Sequence, residues 1–205
     1  MCSSDLDVYA TTGSITQTAT SIIRSTGSSA QARLVAARDV VVGDIELPTG
    51  AISIITTSGS ITDADTLLST GNDTDLDLSA KTVRLVGGVG IGSTVNHLET
   101  AATTLSARAA SGGMFLLEAD DVAIGDAGVT VARVRADGTS AGSVLVDAPQ
   151  ADLYTSSRGG IVLRTIDGSI SVGDGTAVTD GIGVSANLSA NILLQAQGTN
   201  RSITV

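Results

Sequence analysis

The sequence is poor in cysteine and in aromatic residues. Cys2 is the only cysteine in the chain of 205 residues, so no disulfide can form within it. Tryptophan is absent, and the aromatic side chains are those of Tyr9, Phe115 and Tyr154. Because a wide globular core is usually filled with aromatic rings, this composition favours a narrow core of stacked aliphatic side chains.

Basic residues and long apolar runs are also scarce. Lys81 is the only lysine, and 11 basic residues stand against 21 acidic ones, which gives a net charge of −10. A nucleic-acid surface requires a basic stripe, so we expect no nucleic-acid partner. A membrane-spanning helix needs roughly 20 apolar residues, and no run of that kind is present, so we expect no membrane insertion.

The chain is expected to be an internal fragment of a longer protein. Residues 1–6, Met-Cys-Ser-Ser-Asp-Leu, resemble the translated end of a sequencing adapter, so natural sequence is expected to begin near Asp7. Residues 202–205 end inside a strand pattern. We therefore expect residues 7–205 to form a single segment without a capping turn at either end.

Short apolar stretches recur along the whole chain. Most lie roughly 7 to 10 residues apart, separated by Gly, Ser, Asn or Asp, which is typical of short strands joined by turns. Ile52 and Ile54 alternate with Ser53. This spacing predicts that both isoleucines point into the core and that the serine points outward.

Two short sequence phrases repeat between these stretches. The first is Gly-Ser-Ile-Thr or a close variant, and it begins at Gly13, Gly59, Gly168 and, with Arg in place of Gly, at Arg201. The second is an apolar strand followed by Gly-Asp, at residues 40–44, 122–126 and 170–174. Short strands alone would fit a sandwich, a barrel or a solenoid, but repetition favours stacked units. We predict an all-β, right-handed parallel β-helix (a β-solenoid) of roughly eight or nine irregular turns.

One segment has a different pattern. Residues 93–111 contain no Gly or Pro, and Val95, Leu98, Ala102 and Leu105 fall at helical spacing. The threonines in the segment and the strand repeats on both sides oppose a helix. A long loop containing a strand is therefore the favoured interpretation, and a helix is the alternative.

The repeated phrases, together with Leu-Ser-Ala-Arg-Ala-Ala-Ser-Gly-Gly at residues 105–113, resemble the repeats of filamentous-haemagglutinin-type adhesins, which are very large bacterial surface proteins. The resemblance covers nearly all of residues 7–205. It implies a right-handed parallel β-helix that is secreted or held at the cell surface, associated with the outer membrane, and used for adhesion or as a stalk.

One glycine-rich motif and one aspartate-rich motif resemble known ligand-binding sequences. The cluster Gly87-Gly88-Val89-Gly90-Ile91-Gly92 lacks the third glycine of a dinucleotide fingerprint, because Ser93 stands there, and it has Gly92 at the aspartate position of a calcium nonapeptide. We therefore expect residues 87–92 to form a turn.

Asp73, Asp75 and Asp77 match the first three ligands of an EF-hand, but Leu78 replaces its glycine and Arg84 its final glutamate. Together with Asp63 and Asp65, these aspartates could still bind calcium weakly at the surface. The simpler interpretation is that the acidic stretch is a turn and a strand edge exposed to solvent.

Residue types for catalysis are few. Asp120 and Asp121 are adjacent, and on a strand they would point to opposite faces. Arg133 and Arg135 could share a face, but no acidic cluster adjoins them in sequence, and His97 is the only histidine. A threonine row for ice binding, at Thr16, Thr18 and Thr20, has no counterpart one turn later.

The sequence therefore predicts a structural or adhesive stalk that displays its turn loops and is not an enzyme. We expect no catalytic residues, no cofactor and no metal site. The expected partners are a host or neighbouring-cell surface or a carbohydrate, bound through the loops, and other copies of the chain in end-to-end association. The alternative is a carbohydrate-active β-helix, similar to polysaccharide lyases or glycosidases, with catalytic turns partly outside this chain; an Asp/Arg cluster on one face would favour it.

Overall fold

The structure is a computed structural model that describes residues 5–65, 75–177 and 179–205. Within these residues every regular element is a strand and there is no helix. The strands are β1 (Asp5–Ala10), β2 (Ile15–Thr16), β3 (Ile22–Arg24), β4 (Gln31–Ala36), β5 (Val40–Val42), β6 (Asp44–Thr56), β7 (Ile61–Asp63), β8 (Leu78–Val86), β9 (Gly90–Ile91), β10 (Leu98–Ala109), β11 (Gly113–Glu118), β12 (Val122–Ile124), β13 (Ala127–Val134), β14 (Ser140–Gln150), β15 (Leu153–Thr155), β16 (Ile161–Thr165), β17 (Ile170–Val172), β18 (Val184–Ala186), β19 (Ile192–Gln195) and β20 (Ile203–Thr204).

All of these strands except β13 and β14 belong to one 18-stranded sheet, in which every pairing is parallel. The first wall is the ladder β1, β4, β6, β8, β10, β15 and β18. The second wall is β2, β5, β7, β9, β11, β16 and β19. The third wall is formed by β3, the first halves of β6, β8 and β10, and the ends of β11 and β16. Strand β12 pairs with Thr104 and Leu105 in the second half of β10, so β12, β17 and β20 stack in line with the start of the first wall. The sheet is nearly closed on itself, which is consistent with the β-solenoid that the repeats predict.

Three long strands bend from the third wall into the first wall of the next turn. In β10 the buried apolar residues are Leu98 and Ala102 before the bend, then Leu105, Ala107 and Ala109 after it. The alternation of two slips by one residue at the bend, which produces intervals of four and three in the sequence. The helical spacing of residues 93–111 is the trace of this corner, so the helix alternative is wrong and the strand interpretation is confirmed.

The two repeated phrases lie side by side on adjacent turns. Val40 and Val41 of the second phrase pair with Ile15 and Thr16 of the first phrase on one side, and with Ile61 and Thr62 on the other. The same pairing recurs far along the chain, where Val122 lies against Ile170 and Ile170 against Ile203. The phrases repeat because the aliphatic residues of one turn must stack on aliphatic residues of the next.

An aspartate joins the phrases across turns. The Oδ1 atom of Asp39, just before the second phrase, accepts a hydrogen bond of 2.9 Å from the backbone N–H of Ser60. Asp121 accepts one of 2.7 Å from Ser169 in the equivalent place. The glycine before each serine packs against the neighbouring turn, and a Cβ at Gly168 would lie 1.9 Å from the carbonyl oxygen of Asp120. Gly59 and Gly168 are therefore required for space, whereas Gly13 has no atom within 4 Å of its Cβ position and the last copy of the phrase carries Arg201.

The core is a set of aliphatic columns. One column in the first wall runs through Val8, Leu34, Ile54, Leu85, Ala107, Leu153 and Val184. Ile52 and Ile54 are both fully buried, which confirms their predicted orientation. Ser53 lies on the other face of β6 and is nevertheless buried, because the Arg84 side chain covers it and also donates to the Ala148 carbonyl of β14.

The β13–β14 hairpin is the one antiparallel unit of the described residues, and it lies against the outer side of the first wall. Its inner face buries Ala127, Val129 and Val131. Asp147 pairs with Arg33 of β4 at 3.0 Å. The hairpin thus covers the outer side of several turns, and nothing in the repeat pattern predicts it.

Candidate functional site

A groove of about 600 Å³ opens on the outer side of the third wall. Its lining is strongly acidic and includes Asp44, Glu46, Asp65, Asp75 and Asp77. Basic residues are absent from the described lining of this groove. The local chemistry therefore suits a cation or a neutral polar ligand and disfavours an anion.

Strand register places three of the chain's carboxylates at one position of successive turns. Asp44, Asp77 and Glu99 each come directly before the paired residues Ile45, Leu78 and Thr100. In a parallel ladder such equivalent positions are about 4.8 Å apart. Like charges stacked at that spacing repel each other unless a proton or a cation lies between them.

A fourth carboxylate completes a buried group beneath the groove. Asp63, at the end of β7, joins Asp77 and Glu99, and one carboxylate oxygen of each lies within 4.8 Å of the others. We call these three residues the carboxylate triad. The exposed fractions are 8% for Asp63, 4% for Asp77 and 1% for Glu99. Acidic residues are almost never buried this deeply unless they are paired or bind a metal.

Backbone groups hold the triad in place. The Asp77 Oδ2 atom accepts a hydrogen bond of 2.8 Å from the Glu99 backbone N–H. The Asp63 Oδ1 atom accepts one of 2.7 Å from the Asp65 N–H. Among the described residues, neither Asp63 nor Asp77 forms an ion pair with an arginine or lysine. The two carboxyl groups are close enough to hydrogen-bond to each other when one of them carries a proton.

The surroundings of the triad disfavour ionisation of its carboxyl groups. Burial, followed by the neighbouring charge of Asp63, raises the pKa of Asp77 far above its ordinary value. The Asp63 Oδ2 atom is buried and receives no hydrogen bond from an N–H or hydroxyl group in the described part of the chain. The same holds for the Oδ1 atoms of Asn96 and Asp44 nearby. Buried oxygens without donors are therefore concentrated around this corner.

The groove rim carries a second acidic pair. Glu46 forms an ion pair with Arg24, and that contact lowers the pKa of Glu46. Burial and a hydrogen bond with Glu46 raise the pKa of Asp44 to about 6. The Asp44 and Glu46 side chains are thus in direct contact, both projecting from β6 at positions two residues apart.

A different carboxyl group lies inside the coil. Glu118, at the end of β11, is fully buried in line with Leu78 and Thr100. Its Oε2 atom accepts a hydrogen bond of 2.7 Å from the Thr100 hydroxyl and its Oε1 atom one of 2.9 Å from the Ala102 N–H. Burial raises the pKa of Glu118 to about 8. This group is closed off from the groove by the wall itself and serves the core.

The structure brings part of the acidic stretch together. Asp63 and Asp77 meet in the triad, while Asp65 and Asp75 line the groove above them. Asp73 lies outside the described residues. Asp75 and Asp77 both line the groove, but Asp77 is buried and so is not part of a solvated strand edge.

Other residues considered from the sequence have structural places. Residues 87–92 form the turn from β8 into β9 and β9 itself, which confirms the turn role; Gly92 has a φ of 60°. His97 is buried and stacks on Phe115 with ring centroids 6.1 Å apart. Burial lowers the pKa of His97.

Two placements differ from the sequence-based expectation. Asp120 and Asp121 lie in the bend between β11 and β12 and not on a strand, so the argument from opposite strand faces does not apply; Asp121 instead holds the Ser169 N–H. Arg133 is an exposed residue of β13 that shares a shallow pocket with Asp7, Tyr9 and Arg33 of the first wall, whereas Arg135 lies in the exposed turn between β13 and β14. Thr18 and Thr20 lie in the turn after β2, so only Thr16 of the proposed row is on a strand.

Glu99 is the member of the triad that the sequence reading missed. It lies 22 residues beyond Asp77, inside the segment whose spacing suggested a helix. Its position becomes visible only in the register, because Asp77 directly precedes Leu78 and Glu99 directly precedes Thr100, which pairs with Leu78.

The described residues contain no helix long and apolar enough to cross a membrane. Comparisons with protein-family models, with curated proteins and with solved structures give no match for this chain. The triad and groove are therefore interpreted from their own chemistry alone.

Proposed function

We propose that the chain is a structural, non-catalytic segment of a large exported bacterial surface protein, in which a right-handed parallel β-helix separates and displays turn loops. The observation that carries this proposal is the unbroken aliphatic column from Val8 to Val184 in the first wall. A stack of this kind is stiff along its axis because each turn is hydrogen-bonded and packed to the next. Stiffness over distance is what a stalk requires.

The finer features of the coil belong to the same proposal. Parallel strands joined by crossover connections are right-handed in nearly all proteins, which supports the right-handed coil. The first wall contains β1, β4, β6, β8, β10, β15 and β18. At about 4.8 Å per strand these give a rod about 29 Å long, so the eight or nine turns expected from the repeats would need one or two more than this ladder holds.

The resemblance to filamentous-haemagglutinin-type repeats supports the location, which is secreted or at the cell surface and associated with the outer membrane. The proposed ligands are a host or neighbouring-cell surface or its carbohydrates, bound through the turn loops. End-to-end association of copies is supported by the exposed apolar residues of the last turn. Ile192 and Ile203 are 47% and 41% exposed, while Ile161 and Ile170, on which they stack, are fully buried.

A stalk can be tested by measuring how far it separates its ends. Two folded reporter domains carrying a fluorescent donor and acceptor would be fused directly to the ends of the chain. A rigid rod gives one narrow distribution of transfer efficiencies that does not change with salt. A broad distribution that follows chain-like scaling would refute the proposal.

The acidic groove is the feature that keeps the carbohydrate-active alternative in view. Glycoside hydrolysis requires two carboxyl groups on either side of the sugar bond, about 5 Å or more apart. Asp44 and Glu46 are hydrogen-bonded to each other, which leaves no space for a sugar ring between them. The contact therefore argues against Asp44 and Glu46 as the two catalytic carboxyl groups of a glycosidase. Release of reducing ends or unsaturated products from a panel of neutral and acidic polysaccharides, lost in Glu46→Gln, would instead establish the alternative.

A further inference from the structure

The carboxylate triad places three potential negative charges in a space without a matching positive group on Asp63 or Asp77. Asp63 ends β7, Asp77 precedes β8 and Glu99 belongs to β10, so the three come from two successive turns of the coil. Gathering these carboxylates is costly for the fold, since like charges disfavour ionisation of one another. Structural carboxyls of the same chain, such as Asp39, face backbone N–H donors and solvent instead.

A second observation concerns Asp63 alone. More than nine-tenths of this residue is buried, and its Oδ2 atom accepts no hydrogen bond from an N–H or hydroxyl group of the described residues. A buried carboxylate oxygen without a donor carries a desolvation penalty. Such an atom is explained by a positively charged partner that binds in the pocket.

The geometry suits one class of cation. Calcium binds carboxylate oxygens at about 2.4 Å, so two ligands on opposite sides of the ion are about 4.8 Å apart. The triad oxygens lie within 4.8 Å of one another. Small side-chain rotations would therefore bring all three to about 2.4 Å from a common point, which is the calcium–oxygen distance. Magnesium requires strict octahedral geometry, whereas calcium accepts irregular sets of carboxylate oxygens and water, such as this buried group beside an open groove can supply. The groove beside Asp77 provides the path of entry and room for the water ligands.

We propose that Asp63, Asp77 and Glu99 bind one calcium ion between successive turns of the coil. The ion joins the end of β7 and the start of β8 to β10, and it neutralises the charge that the three side chains bring together. This assignment reverses the expectation from the sequence that the chain has no metal site. It is independent of the proposed stalk function, because a stalk and an enzyme could both contain such an ion.

The experiment uses the whole chain after removal of metal with a chelator. Calcium chloride is titrated into the protein by isothermal titration calorimetry, and melting is followed with and without calcium or magnesium. We expect one saturable site, and a rise of about 5 °C or more in Tm at a calcium concentration 100 times the Kd. Magnesium should give a smaller rise at the same concentration.

Variants locate the site. Asp77→Asn retains the acceptor for the Glu99 N–H and should melt without calcium at or above the wild-type temperature, yet bind calcium at least about tenfold more weakly. Glu99→Gln should behave in the same way. Asp120→Asn removes one exposed charge elsewhere and should leave affinity and the Tm rise unchanged.

Two results would overturn the proposal. If no saturable heat appears up to about ten millimolar calcium, beyond the weakest protein sites, the buried carboxyls are held by a shared proton between Asp63 and Asp77. If calcium raises the Tm of Asp77→Asn and Glu99→Gln as much as that of the wild type, the ion binds to the acidic surface and not to the triad.

Discussion

Glu118 provides a quantitative test of the core. Its carboxyl group is fully buried among inward-facing residues, and burial raises its pKa from an ordinary value of 4.5 to about 8. The native state therefore keeps a proton that the unfolded chain loses between these two pH values. Stability from this group is fully present below about pH 4.5 and is lost as the pH rises towards 8.

The size of the effect follows from the shift. One pKa unit corresponds to about 1.4 kcal/mol, so the free energy of unfolding should fall by roughly 4 kcal/mol between pH 5 and 8 because of Glu118 alone. Glu118→Gln removes this dependence. Its amide can accept from the Ala102 N–H and donate to the Thr100 hydroxyl, which preserves both contacts of the neutral acid.

The assay is urea unfolding of wild type and Glu118→Gln at several pH values. The difference between the two curves isolates Glu118 from the other buried carboxyls, which both proteins share. We expect the variant to be the more stable protein by several kcal/mol at pH 8, and the gap to close near pH 5. Parallel curves across this range would mean that Glu118 is solvated and that the core has been misplaced.

Three further predictions concern packing and assembly. Ile54→Asp places a charge in the buried column and should lower the free energy of unfolding by several kcal/mol, whereas Val146→Asp, on the exposed side of the hairpin, should change it little; equal melting temperatures for wild type and Ile54→Asp would rule out the register. Gly168→Ala should lower the free energy of unfolding by about 2 kcal/mol or more, because the new Cβ would lie 1.9 Å from the Asp120 carbonyl oxygen. Gly125→Ala should be tolerated, because no atom lies within 4 Å of its Cβ position. Similar stability of the two variants would contradict the close approach at Gly168. Sedimentation velocity should show end-to-end association that increases from low to 0.5 M salt, as about half-molar salt screens the net charge of −10; a monomer at both salt concentrations would refute it.

Repetition and alternation were sufficient to predict the fold class. The Gly-Ser-Ile-Thr phrase at Gly59 predicted stacked strands, and its isoleucine does lie between Val40 and Ile91 in the second wall. Stacking of like on like is a local rule, so it leaves a trace in the sequence. The corner in β10 shows the limit of that rule, because a one-residue slip in alternation has the same spacing as a helix.

The hairpin and the triad could not be read in the same way. β13 and β14 have strand-like alternation, but whether a strand pairs in the coil or folds over it depends on contacts such as Arg33 with Asp147, which are 114 residues apart. Formation of the triad likewise depends on the strand register between neighbouring turns. Asp63 and Asp77 were candidates from the sequence, while Glu99 joins them only through the register of β8 with β10.

The central claim is that the chain is a stack of parallel turns, and a distance along the first wall tests it most directly. Tyr9 and Ser185 occupy one continuous column, six strand steps apart through Val35, Ile55, Val86, Arg108 and Tyr154. Spin labels would be attached to cysteines at Tyr9 and Ser185 in a Cys2→Ser background. Double electron–electron resonance should give a single distance of about 29 Å, at about 4.8 Å per step, and moving the second label to Tyr154 should shorten it by about 5 Å. A broad distribution, or a distance that does not shorten with this move, would contradict the stack.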